Sequence, residues 1–417
     1  MSEALSLEKL QQAVRGSAAA FRCRRRIQPA GGQGDKVFPP TFAGAVYAVE
    51  QRRVLGREQP VTCVLLDSVQ SQANRMELAL QEALDAGKIE LPVLVVDFTE
   101  YGPSGDVEAD EQAGKLIDAI GKITSLQVPH RIADAILRDS QVDGIAFRKS
   151  EKGKALNTVS LANATPLFEL CPTALLFGMW DSTGPKGGLG PKFERAIVSE
   201  IVGIDAHVGD LLRGVRKDPF EASNKVPIIK NSAFDWKVSD DPKEKGVVAP
   251  SAVNHSSVPF PKVRDRKTEE NHYAGVTIEY AEQVTTLSLI CLRRLRFPLN
   301  GKVDPEVDAA ARTVLASLGL CAATLAFESG MGLRSRCLLW PEGPMEWELL
   351  DKPGHPPARY CLTSEDAVSI LKQATEIAKQ KGLPWRKDPL PSLKPSPELL
   401  KLVRLSQIEA TKQTAEA

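Results

Sequence analysis

The sequence predicts an α+β protein with a ferredoxin-like centre and inserted lobes. A nearly all-apolar run at 61–66 reads as a buried strand, and a helical pattern follows it directly. A second apolar run lies at 91–98, and a long polar insertion separates this half from further helix and strand patterns. This order differs from the regular βαβα alternation of a Rossmann fold or a TIM barrel.

The first half of the chain contains most of the predicted strands. Residues 5–14 have helical spacing, and residues 21–27 alternate as a strand. That strand places Phe21, Cys23 and Ile27 on one face and Arg22, Arg24 and Arg26 on the other, with Arg25 interrupting the apolar face. A helix is predicted after residue 67, with Asp67 as N-cap and Gln70 at the capping-box position. The other predicted elements of this half are a helix at 128–137, a strand at 144–148 and a strand-rich segment at 167–180.

The second half is predicted to be richer in helices. Helices are expected at 284–296, at 304–318 and at 364–381, and a strand at 333–340. The predicted organisation has four parts: a first part of the centre at 15–217, an inserted loop-rich lobe at 218–267, a second part of the centre at 268–385 and a Pro/Lys-rich tail at 386–417.

The composition indicates a globular protein with uneven charge. The 417 residues are 42% apolar and 25% charged, with 53 Lys/Arg against 53 Asp/Glu, so a general polycation is excluded. Residues 1–60 carry ten basic and five acidic residues, whereas residues 61–120 carry three and twelve. This split suits a subunit that stacks head to tail, although many enzymes share it.

Cysteine and histidine usage indicates neither disulfides nor a metal site. The seven cysteines form no CxxC pair, and the five histidines form no HExxH. We therefore expect a reduced, cytoplasmic protein without a cofactor or metal. The N-terminus is unlike a signal peptide and the run 316–327 is too short to span a bilayer, so no membrane partner is expected.

A glycine-rich segment at 181–192 is the first candidate for chemistry. It has four glycines and two prolines but matches neither GxxxxGK[ST] nor GxGxxG. One interpretation is a mobile hairpin tip. The other is a contact to nucleic-acid phosphate through backbone amides, Lys186 and Lys192.

The start of the helix after Asp67 is the most informative polar surface. It carries more amides and hydroxyls than capping requires: Ser68, Gln70, Gln72, Asn74 and Arg75. Such a surface can bind phosphates or sugars, and it can equally pack on a neighbouring loop.

Arginine clusters form the third candidate. Arg334 and Arg336 are expected to alternate on a strand as Arg22, Arg24 and Arg26 do, and Arg293 and Arg294 form a further pair. A solvated strand face explains one such set, whereas two neighbouring sets favour an anion-binding groove. No acid–base pair or Ser/His/Asp arrangement is readable, so no catalytic residue is predicted.

Five strings together resemble a known family. They are Leu-Leu-Asp67-Ser-Val-Gln-Ser-Gln-Ala-Asn-Arg75, Phe177-Gly178, Arg195-Ala-Ile-Val-Ser199-Glu200-Ile, Leu292-Arg-Arg-Leu-Arg-Phe-Pro298 and Gly332-Leu-Arg-Ser-Arg336-Cys. The first is the most specific. Together they resemble the CRISPR-associated RAMP superfamily, in particular the Cas-seven-type backbone subunit of the type I-U (now I-G) Cascade.

The resemblance implies a modified ferredoxin-like (RRM-like) palm with inserted lobes and a projecting thumb. It implies a non-catalytic subunit that polymerises along CRISPR RNA and presents the spacer to target DNA. Its partners would be further copies, other Cascade subunits and a recruited helicase-nuclease. It adds Arg195 to the RNA-binding candidates. Relatives of type III cut target RNA with a thumb aspartate, and Asp181 is the one aspartate to compare.

Two alternatives remain open on the sequence. One is a metal-independent endoribonuclease acting on CRISPR or target RNA. The other is an unrelated small-molecule enzyme that uses the glycine-rich loop.

Overall fold

The computed structural model describes residues 3–43, 46–185, 187–210, 215–216, 218–231, 235–255, 258–259 and 273–416. The chain divides into two compact units. Unit 1 comprises residues 1–100, 120–208 and 275–399, and unit 2 comprises 101–119, 209–274 and 400–417. The predicted boundaries of lobe and tail stay predictions.

A ten-stranded sheet forms the centre of unit 1 in the described part of the chain. Its strands are β1 Glu3–Ala4, β2 Ala20–Pro29, β3 Val49–Arg52, β4 Val61–Asp67, β5 Ile197–Ile204, β6 Tyr280–Ser288, β7 Met331–Arg334, β8 Cys337–Pro341, β9 Glu346–Leu350 and β10 Ala358–Cys361. Their spatial order is β1-β10-β9-β2-β6-β5-β4-β3, with the β7–β8 hairpin pairing through β8 with β2. The predicted α+β class is confirmed, and the ferredoxin-like detail stays a prediction.

The two faces of β2 differ as its sequence predicts. Phe21, Cys23 and Ile27 are buried, whereas Arg24 and Arg26 on the opposite face are exposed. The charged Arg25 follows the period-two pattern and is buried with the apolar residues. The face that contains Phe21 therefore carries the core, and the other face remains partly open to solvent.

Helices cover the buried face. In unit 1 the long ones are α1 Leu7–Arg15, α2 Val69–Asp85, α3 Pro305–Glu328 and α4 Ser364–Gln380. A further long helix, α5 Pro397–Glu416, belongs mostly to unit 2. α3 packs against α1, α2 and α4, and it begins with Asp304 as N-cap before Pro305, as predicted. α3 is long and apolar enough to cross a membrane, but 78% of its most apolar window is buried within the protein. It therefore has the burial of a core helix.

Three predicted elements are wrong. Residues 167–180 hold helices Thr165–Leu170 and Thr173–Phe177 and only a short strand, Met179–Trp180. The start of the helix predicted at 284–296 belongs to β6, and the helix is limited to Leu289–Arg293. The strand predicted at 333–340 is the hairpin β7–β8, because Arg336 adopts a left-handed φ of 55° at its turn.

Other predicted elements are shorter in the structure. The strand predicted at 91–98 is limited to Val95–Asp97, and it pairs with Lys122–Thr124. The helix predicted at 128–137 consists of the turn Arg131–Ala133 and the helix Ala135–Arg138. The strand predicted at 144–148 is Ile145–Ala146, paired with Ser140–Val142, and a turn Phe147–Lys149 follows it. The remaining helix of unit 1 in its described part is Glu151–Ala155.

Unit 2 has small local sheets. Strand Ile228–Lys230 pairs with Trp236–Val238 and with Val247–Val248, and Val215–Arg216 pairs with Val258–Pro259. Helix Val107–Gln112 also belongs to this unit, and the carbonyl of Lys115 accepts a hydrogen bond from Arg404 of α5 at 2.9 Å. The C-terminal helix thus binds the segment 101–119.

Candidate nucleic-acid interface

The junction of β4 and α2 positions the polar residues of the first string. Asp67 is the last residue of β4, and Ser68 is the N-cap, because its hydroxyl accepts a hydrogen bond from the Ser71 amide at 3.2 Å. The prediction of Asp67 as N-cap with Gln70 in a capping box is therefore wrong. The cap position falls one residue later, and Asp67 is free to take a different role.

Asp67 is a buried acceptor. Its carboxylate has no exposed surface. It accepts hydrogen bonds from Ser71 Oγ at 2.8 Å, Gln72 Nε2 at 2.6 Å and Arg75 Nε at 2.9 Å, and Arg334 Nη2 lies 3.3 Å from it. A buried carboxylate needs such charged partners to offset the loss of water.

Arg75 connects α2 to the β7–β8 hairpin through hydrogen bonds. Besides its bond to Asp67, Arg75 Nη2 donates to the carbonyl of Leu333 at 2.7 Å. Its side chain is 32% exposed and that of Arg334 is 26% exposed, so both guanidinium groups also reach solvent. Arg336 lies with its guanidinium 4.5 Å from the Phe38 ring centroid, and it forms no ion pair with another described residue.

We call Asp67, Arg75, Arg334 and Arg336 the helix–hairpin cluster. It holds three guanidinium groups and one carboxylate, a formal charge of about +2. The expected alternation of Arg334 and Arg336 on one strand is wrong, since the turn separates them. Arg334 nevertheless reaches Asp67 at the start of α2, and both arginines contact Phe38, whose carbonyl accepts a hydrogen bond from Arg334 Nη1 at 3.4 Å. This cluster therefore presents positive charge to solvent.

The face of α2 divides into an exposed and a buried part. Gln70 and Asn74 are exposed and lie one turn apart, next to the helix–hairpin cluster. Gln72, in contrast, is buried and its Oε1 accepts hydrogen bonds from Ser199 Oγ at 2.9 Å and Gln283 Nε2 at 2.7 Å. The expectation that Gln72 belongs to an exposed binding face is corrected by this burial.

Arg22, Arg24 and Arg26 face the open side of the sheet among glutamates. Arg22 Nη2 lies 2.7 Å from Glu348, and Arg24 Nε lies 2.6 Å from Glu282. Arg26 lies over the Tyr280 ring at 3.8 Å, with Glu342 at 3.9 Å. Acidic residues of neighbouring strands thus compensate these arginines, and the anion-binding groove expected from them stays a prediction.

The arginines after β6 have protein partners. Arg293 donates to the carbonyl of Ala18, and Arg294 Nη1 lies 3.1 Å from Glu194. Arg195, by contrast, is exposed and makes no hydrogen bond or ion pair with any other described residue. It therefore offers an uncommitted cation beside these paired arginines.

The glycine-rich segment is the tip of a short hairpin. Met179–Trp180 pairs with Lys192–Phe193, and the ammonium group of Lys192 lies 5.5 Å from the ring centroid of Trp180. Trp180 is 52% exposed. Lys186 lies outside the described residues. Asp181 is buried and binds Arg148 Nη2 at 2.6 Å, which gives it a structural partner.

Several important residues escaped the sequence reasoning. Ser199, Gln283 and Thr285 are polar residues on the buried faces of β5 and β6, where Ser199 Oγ lies 2.8 Å from Thr285 Oγ1. Each of these residues lies two positions from an apolar residue of its strand, and this period-two position is the sequence feature that indicates a buried side chain. Glu282 and Glu348 occupy the alternate positions of their strands, which indicates that they face away from the core.

Titratable clusters typical of metal sites are not found in the described part of the chain. Five of the seven cysteines are buried, namely Cys23, Cys63, Cys171, Cys321 and Cys337. Burial raises the pKa of Cys23 to about 11 and that of Cys321 to about 12, so both stay protonated at neutral pH.

The comparison with protein families adds an independent observation. Residues 21–208 match the family model described as CRISPR-associated protein GSU0053 (Cas_GSU0053). The match supports a CRISPR-associated family. It spans the Asp67–Arg75 string, the glycine-rich hairpin and Arg195, and it covers less than half of the chain. A search of curated proteins returned no match.

Proposed function

We propose that this chain is a CRISPR RNA-binding backbone subunit of a type I-U/I-G Cascade. It polymerises along the guide and presents the spacer for pairing with target DNA. The observation that carries the proposal is the family match over residues 21–208, which contains the specific Asp67–Arg75 string.

The sheet supports an RRM-like palm. Strands β2, β5, β6 and β9, in chain order, take the spatial order β9-β2-β6-β5, and each neighbouring pair is antiparallel. Helix α2 precedes β5, and α3 precedes β9. This βαββαβ order supports the proposed ferredoxin-like centre. The thumb is not assigned to a segment.

The helix–hairpin cluster is the primary proposed contact to the guide. A backbone subunit must accept any spacer, so its contacts go to phosphate and 2′-hydroxyl groups and not to base edges. Arg75, Arg334 and Arg336 supply positive charge that suits phosphate. Gln70 and Asn74 supply exposed amides beside it that suit sugar hydroxyls.

Arg195 and Lys192 form a second proposed contact. Arg195 has no described partner to give up, and Lys192 stands beside the exposed Trp180. Arg22, Arg24, Arg26, Arg293 and Arg294 rank lower, since each is matched by a carboxylate or carbonyl of its own, whereas the three guanidinium groups of the helix–hairpin cluster share one carboxylate. Ser68 already caps α2.

The assembly follows from the same proposal. Copies stack head to tail along the guide, with the basic region 1–60 and the acidic region 61–120 as complementary faces. Other Cascade subunits and a recruited helicase-nuclease complete the complex, which acts in the cytoplasm. In this proposal the chain itself binds and does not cleave, and it needs no cofactor.

The decisive experiment is co-expression with the CRISPR array. The purified protein is expected to carry RNA of uniform length in a multi-copy particle. Cleavage of CRISPR or target RNA by the pure protein, without metal, would replace the proposal by an endoribonuclease. Binding of a free nucleotide but no RNA would favour a small-molecule enzyme.

A further inference from the structure

Strand β8 leaves two large apolar side chains open to solvent. Leu338 is 56% exposed and Trp340 is 71% exposed, whereas Cys337 and Leu339 at the alternate positions are buried. Within the described part of the chain, Trp340 forms no hydrogen bond and no ring contact with another residue. Proteins normally place the large indole ring in a core or an interface, so its exposure indicates a contact surface.

Both side chains belong to the open face of the sheet. Trp340 stands opposite Gln28 of β2 in the strand register, and residues directly opposite each other share a face. Arg26 lies two residues before Gln28 on the same face. Leu338 stands opposite Gly332 of β7, which has no side chain to cover it. The apolar surface therefore stays open across the hairpin.

This apolar surface adjoins the helix–hairpin cluster. Arg75 Nη1 lies 3.5 Å from the carbonyl oxygen of Gly332, the residue opposite Leu338. Arg336 lies in the turn of the same hairpin, four residues before Trp340, which is about 13 Å along an extended strand. One hairpin thus carries a cationic surface followed by an apolar one.

The charges that flank Trp340 compensate each other. Arg26 lies over the Tyr280 ring at 3.8 Å and 3.9 Å from Glu342, the second residue after Trp340. Gln28 Nε2 also donates to Glu342 at 2.9 Å. Charge at this position therefore selects no ligand. The hairpin as a whole suits an anionic chain that carries flat apolar groups, which describes a single-stranded nucleic acid.

We infer that Trp340 stacks on a nucleobase of the bound RNA, with Leu338 beside it. The inference rests on the proposed function and adds a base contact to the phosphate contacts of the helix–hairpin cluster. Stacking accepts every base because every base has a π-face, so it suits a subunit that takes any spacer. A second protein chain fits less well, because two side chains offer far less than the roughly 800 Å² that each partner buries in a standard interface.

The affinity of the full-length protein for a short single-stranded RNA, bound by one copy, tests the inference. Trp340→Ala is expected to weaken binding by about 5- to 150-fold, the range for one lost base stack. Trp340→Leu keeps apolar bulk without a ring and should lose the same affinity, and it replaces the alanine variant if that variant melts earlier. Trp340→Phe should retain most of the affinity. Trp236→Ala, which removes an exposed tryptophan of unit 2, is the matched control and should bind as the wild type does.

The salt dependence of the same variants separates stacking from charge. Stacking releases no counterions, so Trp340→Ala should lower the affinity equally at all salt concentrations and leave the slope of log K against log salt unchanged. Wild-type affinity of Trp340→Ala and Trp340→Leu would overturn the inference and leave the proposed function intact. If these variants also lost the multi-copy particle, the surface would be a contact between copies instead. A wild type that binds no RNA would overturn the proposed function and the inference together.

Discussion

Arg75 Nε donates a hydrogen bond to Oδ2 of Asp67 at 2.9 Å, joining a half-buried guanidinium to a fully buried carboxylate. The bond ties the first turns of α2 to the end of β4. The same guanidinium reaches the backbone of β7 and the solvent. Arg75 thus has a structural role in addition to its proposed contact with the guide.

Removal of the Asp67 carboxylate is expected to destabilise the protein strongly. Asp67→Ala leaves Arg75, Arg334 and Gln72 without their shared acceptor, and breaking a buried pair of this kind costs about 3–5 kcal/mol. Urea denaturation measures the free energy of unfolding. Asp351→Ala at an exposed position is the control and should stay within about 0.5 kcal/mol of the wild type. A similar small change for Asp67→Ala would contradict the description of this cluster.

Arg75→Ala is expected to lower stability as well as RNA binding. Asp67 keeps Arg334 and Ser71, so the loss should be about 1–3 kcal/mol, smaller than for Asp67→Ala. Melting curves check this. An unchanged melting temperature would show that the hydrogen bonds from Arg75 to Asp67 and Leu333 contribute nothing to the stability of the fold.

The side-chain amides of α2 provide variants that affect RNA binding and protein stability separately. Replacing both Gln70 and Asn74 by alanine should weaken RNA binding while the free energy of unfolding changes by less than about 1 kcal/mol, because both are exposed. Gln72→Ala should do the reverse, since it leaves Ser199 and Gln283 without a buried acceptor at a cost of about 1–3 kcal/mol.

Filter binding and denaturation on the same preparations decide this prediction. Loss of RNA binding by fully folded Gln72→Ala, with the Gln70 and Asn74 double variant unaffected, would move the interface away from this helix face.

Arg336 should contribute to the salt dependence of RNA binding. Each phosphate contact releases counterions, so Arg336→Ala should reduce the slope of log K against log salt by about 1 per bound copy. Arg24→Ala is the matched control, because Arg24 is already paired with Glu282 and its loss should leave the slope nearly unchanged. Equal effects of the two variants would argue for a guide that crosses the open sheet face.

The fold was predictable where one periodicity dominates. The β4–α2 unit and α3 have apolar residues at strand or helix spacing, and both are found, although α2 is capped by Ser68 instead of Asp67 and α3 continues to Glu328. The sequence predicts a helix over the second half of β6, from residue 284, because the buried positions of this strand include Gln283 and Thr285, which hide the period-two pattern. The turn of the β7–β8 hairpin depends on a left-handed Arg336, a conformation that arginine rarely signals.

The sequence predicts which residue types form the candidate site, but it does not predict which side chains pair with them. The sequence shows the arginines of 22–26, 293–294 and 334–336 only as local groups, and their neutralisation depends on strand register. Glu282 pairs with Arg24 only because β2 and β6 are neighbours, with Arg24 opposite Val284 and Arg26 opposite Glu282. Such long-range pairing cannot be read from local spacing, and it decides which cations remain available.

The nucleic acid that accompanies the purified protein tests the central claim most directly. The chain is expressed with its CRISPR array, and the bound RNA is extracted, sized and sequenced after chromatography. The account predicts a particle with several copies of the chain on one guide of uniform length, with spacers of any sequence equally represented. A strict one-to-one complex, RNA of random length, or protein free of RNA would contradict it.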